Sequence, residues 1–245
     1  MKTPETLLRS LGIDSAAGIE LETIAWSCGL AVRYAPLQGC DARIVGKGDR
    51  GVLTVNSAQS KPRRRFSLAH ELGHWQLHRG RLMLCRAEEI EGSMSDARGF
   101  ELDADQYAAA LLMPRFLFVP AATALKGKPP WSLADALATQ FQTSLLATAL
   151  RMIRLDVWPG WLVCHTRTAR PFAFRAPSAE DSGYPPVAVD HRSAAFDMVH
   201  ATAAGVRSHQ VPGDVWFGGG AQRRLAIEHC RAYPPDRVLT FVRLA

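Results

Sequence analysis

His70-Glu-Leu-Gly-His74 puts two imidazoles and a carboxyl group within five residues. On a helix, positions four apart lie about 40° apart around the axis and ~6 Å apart along it, so both rings can reach one cation. Two imidazoles with a carboxylate suit zinc. The side chain following the first ligand is angled toward a water on that ion and can take its proton as the water attacks a carbonyl. The pattern therefore predicts a hydrolytic metal centre with His70 and His74 as ligands and Glu71 as the catalytic base.

A catalytic zinc holds three protein ligands and keeps one position open, so a third donor is expected on another helix. Downstream acids are Asp96, Glu101, Asp103 and Asp105. Residues 98–113 carry an apolar stripe of Phe100, Ala104, Tyr107, Ala108, Leu111 and Leu112, closed by Pro114. At ~100° per residue, Glu101 lies roughly 60° from the stripe's centre, while Asp103 and Asp105 lie roughly 100° to either side. Glu101 is the predicted third ligand, a buried acid on an apolar helix. Asp105, one turn on, shares its face and is placed to accept the free ring N–H of a ligating histidine. His78 follows His74 by four residues, but three histidines at such spacing rotate away from a single ion. It is read as a neighbour that supports the ligands rather than as a ligand.

The elements that must hold these residues follow from the apolar pattern. Arg65 to His78 contains no Pro and one Gly, and apolar residues lie on nearly all sides, which predicts a buried helix. Between Ser67 and Leu77 its only formal charge is Glu71, whose burial is costly without a partner. Residues 17–31 read as an amphipathic helix ending at Gly29. The strand-like runs 30–34 and 51–55, separated by Gly-rich turns, make a small sheet. Leu133 to Leu155 is helical, with Ser132 as N-cap and a polar break at Gln140–Ser144 that splits it into two helices.

Beyond Asp156 the composition shifts toward Pro, Gly and Trp. Strands are expected at 161–165, 171–175 and 187–189, a helix at 193–206, and a hairpin of 224–230 with 237–244. The fold class expected is α+β. It divides into a mainly helical core with a small sheet (1–130), a two-helix segment (131–155) and a C-terminal α+β domain (156–245).

The 245 residues are 47% hydrophobic and 21% charged, enough to bury a substantial core. A net charge of +6 favours polyanions, and nucleic acid stays open as a partner. The stretch MKTPETLLRS lacks the apolar centre of a signal peptide, and no run reaches the ~18 apolar residues of a membrane span. A soluble, cytoplasmic protein without a membrane partner is expected. Five cysteines with no CxxC argue for reduced thiols and against a thiolate zinc site. The basic run Lys61–Arg65 reads as a solvated approach to the helix. The tail histidines 165, 191, 200, 209 and 229 read as scattered surface positions, and Gly218–Gly220 as a flexible loop.

Arg65-Phe-Ser-Leu-Ala-His-Glu-Leu-Gly-His74 with His78, followed 27 residues after His74 by Glu101-Leu-Asp-Ala-Asp-Gln-Tyr-Ala-Ala-Ala-Leu-Leu-Met-Pro114, resembles the ImmA/IrrE metallopeptidase family. The resemblance covers residues 20–155. It implies a gluzincin-like, zincin-fold site with one catalytic zinc and Glu101 as third ligand. It also implies a substrate class, helix-turn-helix repressors, whose cleavage derepresses stress, phage or mobile-element genes. Tyr107 stands where Phe is usual and Asp105 where Asn is frequent; neither change removes a ligand. Residues 131–155 resemble the family's helix-turn-helix-like segment, and the tail resembles the GAF-like sensor domain of some members. The competing reading is a DNA- or protein-binding regulator with a structural zinc, which would have no use for Glu71.

Overall fold

The computed structural model describes residues 2–78, 94–166, 171–179, 189–200, 205–234 and 236–245. By internal contacts the chain divides into two units, Met1–Ala121 with Leu137–Ser144 and Ala122–Ala136 with Leu145–Ala245. Both helices and sheets are present in quantity, and the fold is α+β.

The first unit opens with α1 (Pro4–Ser10), where the Thr3 hydroxyl accepts from the Thr6 N–H at 3.2 Å and Pro4 starts the first turn. Helix α2 (Leu21–Ser27) is shorter than the predicted 17–31 and is stopped at Gly29, whose φ is +85°. A Cβ on Gly29 would lie 2.0 Å from the Asp49 carbonyl oxygen, so no other residue fits. Strands β1 (Leu30–Ala35), β2 (Ala42–Lys47) and β3 (Arg50–Asn56) form a sheet in the order β1-β3-β2, with β1 parallel and β2 antiparallel to β3. Strand β2 replaces the expected Gly-rich turn. Val45 is 70% exposed and Gly46 interrupts the run, so this edge strand lacks the alternation that marks a half-buried one.

Helix α3 (Lys61–Leu77) begins four residues before the predicted start. The basic run Lys61–Arg65 is therefore its first turn and not a solvated approach. Pro62 presets the helical φ, Arg63 pairs with Asp41, and the Arg64 guanidinium sits 5.7 Å from the Tyr34 ring. Leu68, Ala69 and Leu72 are fully buried. Each such leucine is worth about 1.5–3 kcal/mol of apolar transfer. Helix α4 (Met94–Leu112) lies against α3, and Ala104, Ala108 and Leu111 of its stripe have no exposure. Pro114 separates α4 from α5 (Arg115–Ala124).

Helices α6 (Pro130–Phe141) and α7 (Leu145–Arg154) flank the predicted polar break, where Gln142 takes a left-handed φ of +53°. No single described helix is long and apolar enough to cross a membrane. Helices α4 and α5 pass that test together but bend by 53° between them.

The second unit is built on β4 (Trp161–Thr166) and β5 (Phe172–Arg175), then α8 (Ala194–His200), β6 (Val206–Pro212), the single turn α9 (Asp214–Phe217), β7 (Leu225–Tyr233) and β8 (Arg237–Leu244). The sheet order is β5-β4-β8-β7-β6, antiparallel throughout. Trp161, Val163, Met198, Val215, Trp216 and Val242 share its core. Inside it lies Glu228, which has no exposure. Its carboxyl oxygens accept from the Ser193 hydroxyl (2.7 Å), the Ala194 N–H (2.7 Å) and the Trp216 indole N–H (2.8 Å). Of the helix expected over 193–206, α8 covers Ala194–His200, residues 201–204 lie outside the described residues, and Val206 opens a strand. The strand expected at 187–189 falls mostly outside the described residues.

Two tail histidines depart from the surface reading: His229 is half-buried with its ring 5.4 Å from that of Trp158, and His165 departs further. His165 on β4 is 1% exposed, both ring nitrogens lack a hydrogen-bond partner, and its ring lies 5.5 Å from that of Trp216. The strand alternation carries it inward, and burial lowers its pKa from 6.5 to about 4. Because the folded value lies below the unfolded one, the unfolded chain binds the extra proton between pH 6.5 and 4. Stability present above that window is lost as pH falls through it, on the order of 3 kcal/mol at full extent. His165→Leu is expected to flatten this decline, read as thermal midpoints of both proteins at pH 8 and pH 5. Parallel curves would show that His165 finds a proton partner.

Candidate metal centre

His70 and His74 project from α3, and Glu101 and Asp105 from α4. The two helices can bring these side chains together because α3 carries no side chain at Gly73, directly before His74. A Cβ there would lie 3.1 Å from the Cα and O of Ala104 and 3.1 Å from the Tyr107 Cβ. Ala104 in turn sits between Glu101 and Asp105. The helix contact and the site are thus centred on the same two positions.

Among the described residues, His70, His74 and Glu101 form a group that could hold a metal ion. Their donor groups form a triangle in which each oxygen of Glu101 faces one imidazole: His70 Nε2 to His74 Nε2 is 3.0 Å, His70 Nε2 to Glu101 Oε2 is 3.2 Å, and His74 Nε2 to Glu101 Oε1 is 3.3 Å. Ligands at 2.0–2.1 Å from a tetrahedral zinc are about 3.3 Å apart, so these spacings suit two imidazoles and a carboxylate gathered around one such ion. The tautomers agree with this fit. The Nδ1–H of His70 donates to Asp105 Oδ1 at 2.9 Å, which leaves the Nε2 lone pair free. His74 Nδ1 shares a proton with His78 Nδ1 at 3.1 Å. When His74 supplies that proton, two lone pairs face each other across 3.0 Å, an arrangement a cation relieves.

Electrostatics separate the two histidines. Burial, together with neighbouring His70 and His78, lowers His74 to about 4 and keeps it neutral. Burial also opposes the charge on His70, but the hydrogen bond to Asp105 and the nearby carboxylates outweigh it and raise its pKa. Glu71 is 5% exposed, its Oε2 has no hydrogen-bond partner, and burial pushes it up to about 7. The carboxyl group that was costly to bury is thus left with an unpaired oxygen at the cleft.

That cleft has a volume of about 480 Å³ and is lined by Asp41, Arg63, Phe66, His70, Glu71 and Glu101, among others. Glu101 and Asp105 line it too, yet their side chains are 60% and 52% exposed, so the expectation of a buried acid is corrected. The stripe angle placed Glu101 at the margin of the helix contact, where the cleft opens to solvent. Asp103 stands apart from the triangle, 4.0 Å from His78 Nε2, and the Asp96 side chain lies outside the described residues. His78 is buried at 7% and packs edge-on to Phe100 at 4.6 Å, which sets the ring that holds His74. Asp41 and Arg63 escaped sequence reasoning, because nothing local ties a loop acid to a basic run 22 residues away.

Gly73→Ala tests the dependence of the site on the helix contact. The neighbours at 3.1 Å are mostly backbone, so α4 has to move. The expected cost is about 1–3 kcal/mol of stability and on the order of tenfold in affinity for a divalent metal, measured by chelator competition with His70, His74 and Glu101 still in place. Unchanged affinity would show that the triangle does not depend on this spacing.

Comparison with known proteins gives two findings. The family model for the IrrE N-terminal-like domain, a peptidase family, matches residues 27–152. Among solved structures, a Mycobacterium tuberculosis transcriptional regulator is similar in fold, with a TM-score of 0.65 at 16% identity, over 98% of this chain and 86% of that one. No curated protein matches the chain significantly.

Proposed function

Since this chain belongs to the IrrE N-terminal-like peptidase family, we propose that it is a zinc-dependent endopeptidase that makes a site-specific cut in a helix-turn-helix transcriptional repressor. The observation that carries the reading is the donor triangle of His70, His74 and Glu101 with a buried, unpaired carboxyl group beside it. A structural metal needs the triangle but not Glu71, which argues against the reading as a regulator with a merely structural zinc.

Zinc held by these three residues would polarise the scissile carbonyl and acidify water. Glu71 takes the water's proton and returns it to the leaving amide nitrogen, and a carboxyl group whose pKa is near 7 is suited to both transfers. Asp105 and His78 hold the two imidazoles in their ligating tautomers. Strand β2 ends the sheet, leaving its outer edge unpaired within that sheet, and its first residue, Ala42, lines the cleft. An extended segment of a repressor can add to that edge through backbone hydrogen bonds. Cleavage after such binding would release repressed stress, phage or mobile-element genes.

The experiment is incubation of the zinc-loaded protein with helix-turn-helix repressors encoded beside its gene, followed by intact mass analysis. One zinc-dependent cut in one repressor is expected. A repressor bound but left whole, with one equivalent of metal present, would favour a binding regulator.

A further inference from the structure

The three-stranded sheet of the first unit packs one face on α3 and turns the other to solvent. Residues directly opposite each other in a ladder share a face, and successive residues alternate between faces. Gly46 faces the Trp75 ring of α3, so its neighbours Val45 and Lys47 point the other way. Val45 lies opposite Val52, Lys47 opposite Arg50, and Arg43 opposite Thr54, which in turn lies opposite Arg33. Arg33, Arg43, Lys47 and Arg50 therefore share the face away from α3, and all four are exposed. Val45, among them, is 70% exposed, so the face is open.

The charge on this face is of one sign. Strands β1, β2 and β3 contain no acidic residue. Among the described residues, none of the four cations makes an ion pair. Asp49, in the turn joining β2 to β3, pairs with none of them, and Asp41 is taken by Arg63. Lys47 and Arg50 stand directly opposite each other, and like charges so placed destabilise a ladder. The fold nevertheless keeps both at the open end of the sheet.

We propose that this face binds the phosphate backbone of duplex DNA without reading its sequence, through Arg33, Arg43, Lys47 and Arg50. The spacing of the cations selects the occupant. Arg33 and Arg43 stand two strands apart, roughly 10 Å, and Arg43 and Lys47 are about 13 Å apart along β2. A duplex carries one charge per about 1.7 Å of axis, shared between two strands, and so offers phosphates in both directions across such a patch. An extended acidic peptide turns a side chain to one face only about every 6.6 Å along a single line, and meets one row of cations at a time. The three strands put no aromatic ring on this face, which leaves the bases of a single strand nothing to stack on. None of this depends on the metal centre, which lies beyond the opposite face.

The test is fluorescence anisotropy of the full-length protein with a short labelled duplex of arbitrary sequence, repeated over a series of salt concentrations. Near physiological salt a Kd of about 1–100 µM is expected, and log K should fall against log salt with a slope of about −3.6, that of four phosphate contacts. The matching single strand is expected to bind more weakly. Arg43→Gln combined with Lys47→Gln is expected to lower duplex affinity at least about tenfold and to reduce the slope by about 2. Both side chains are exposed, so the variant should keep its fold, checked by its thermal midpoint. Arg154→Gln, at an exposed position of α7, is the control and is expected to change neither quantity. Absence of binding at low salt, an unchanged slope in the double variant, or loss of binding in Arg154→Gln instead would each overturn the proposal. So would tighter binding of the single strand, or displacement of the duplex by polyglutamate at equal charge, which would assign the face to an acidic protein.

Discussion

Glu71→Gln is expected to lose about three orders of magnitude in cleavage rate, the range a positioned acid–base group supplies, while keeping one equivalent of metal. The substitution preserves size and changes none of the three donor atoms, so the triangle of His70, His74 and Glu101 should persist. It also removes a buried carboxyl group whose Oε2 has no partner, so the folded protein should be no less stable than wild type. Loss of activity with metal content and thermal midpoint retained is therefore the signature of a catalytic base. Residual cleavage near the wild-type rate would mean that another group takes the proton.

The largest effect on stability is expected at Glu228. Glu228→Ala strands three donors, the Ser193 hydroxyl, the Ala194 N–H and the Trp216 indole N–H, at a site with no solvent. Each orphaned donor costs about 1–3 kcal/mol, so the sum is on the order of 4 kcal/mol, read as a shift in the denaturant midpoint. Trp216→Phe removes one donor and its bond together and is expected to cost about 1 kcal/mol from that bond, and Ser193→Ala somewhat more, since the Ser193 hydroxyl also accepts from the Ala195 N–H at 3.0 Å. Should Glu228→Ala cost no more than these, water must replace the carboxyl group and the network is looser than its distances indicate.

The readable parts of this chain are those where one face repeats. Helices α3 and α4 and the partners His70, His74, Glu101 and Asp105 follow from helical spacing, because spacing fixes direction around an axis. Strand β2 did not follow, since an exposed edge strand with Val45 outward and Gly46 inside it leaves no alternation to read. The exposure of Glu101 was also hidden. Angular position tells which way a side chain leans but not whether the space beyond is filled. His165 was misjudged for the opposite reason: a single polar residue within a buried strand looks the same in sequence as one on its surface.

Helix α3 is gripped on two sides by absent methyl groups. At Gly73 the backbone of α4 fills the missing volume, and at Gly46 the Trp75 ring does, with a hypothetical Cβ only 2.6 Å from its edge. The Trp75 indole N–H also donates to the Cys28 carbonyl at 2.9 Å, which stops α3 from rolling against the sheet. The histidines are consequently aimed before any ion arrives, and little ordering entropy is left to subtract from metal affinity. It follows that affinity is adjustable from the rear of the helix. A single carbon atom placed at Gly46 or Gly73 should act as a dial on how long the ion stays, leaving every ligand chemically untouched.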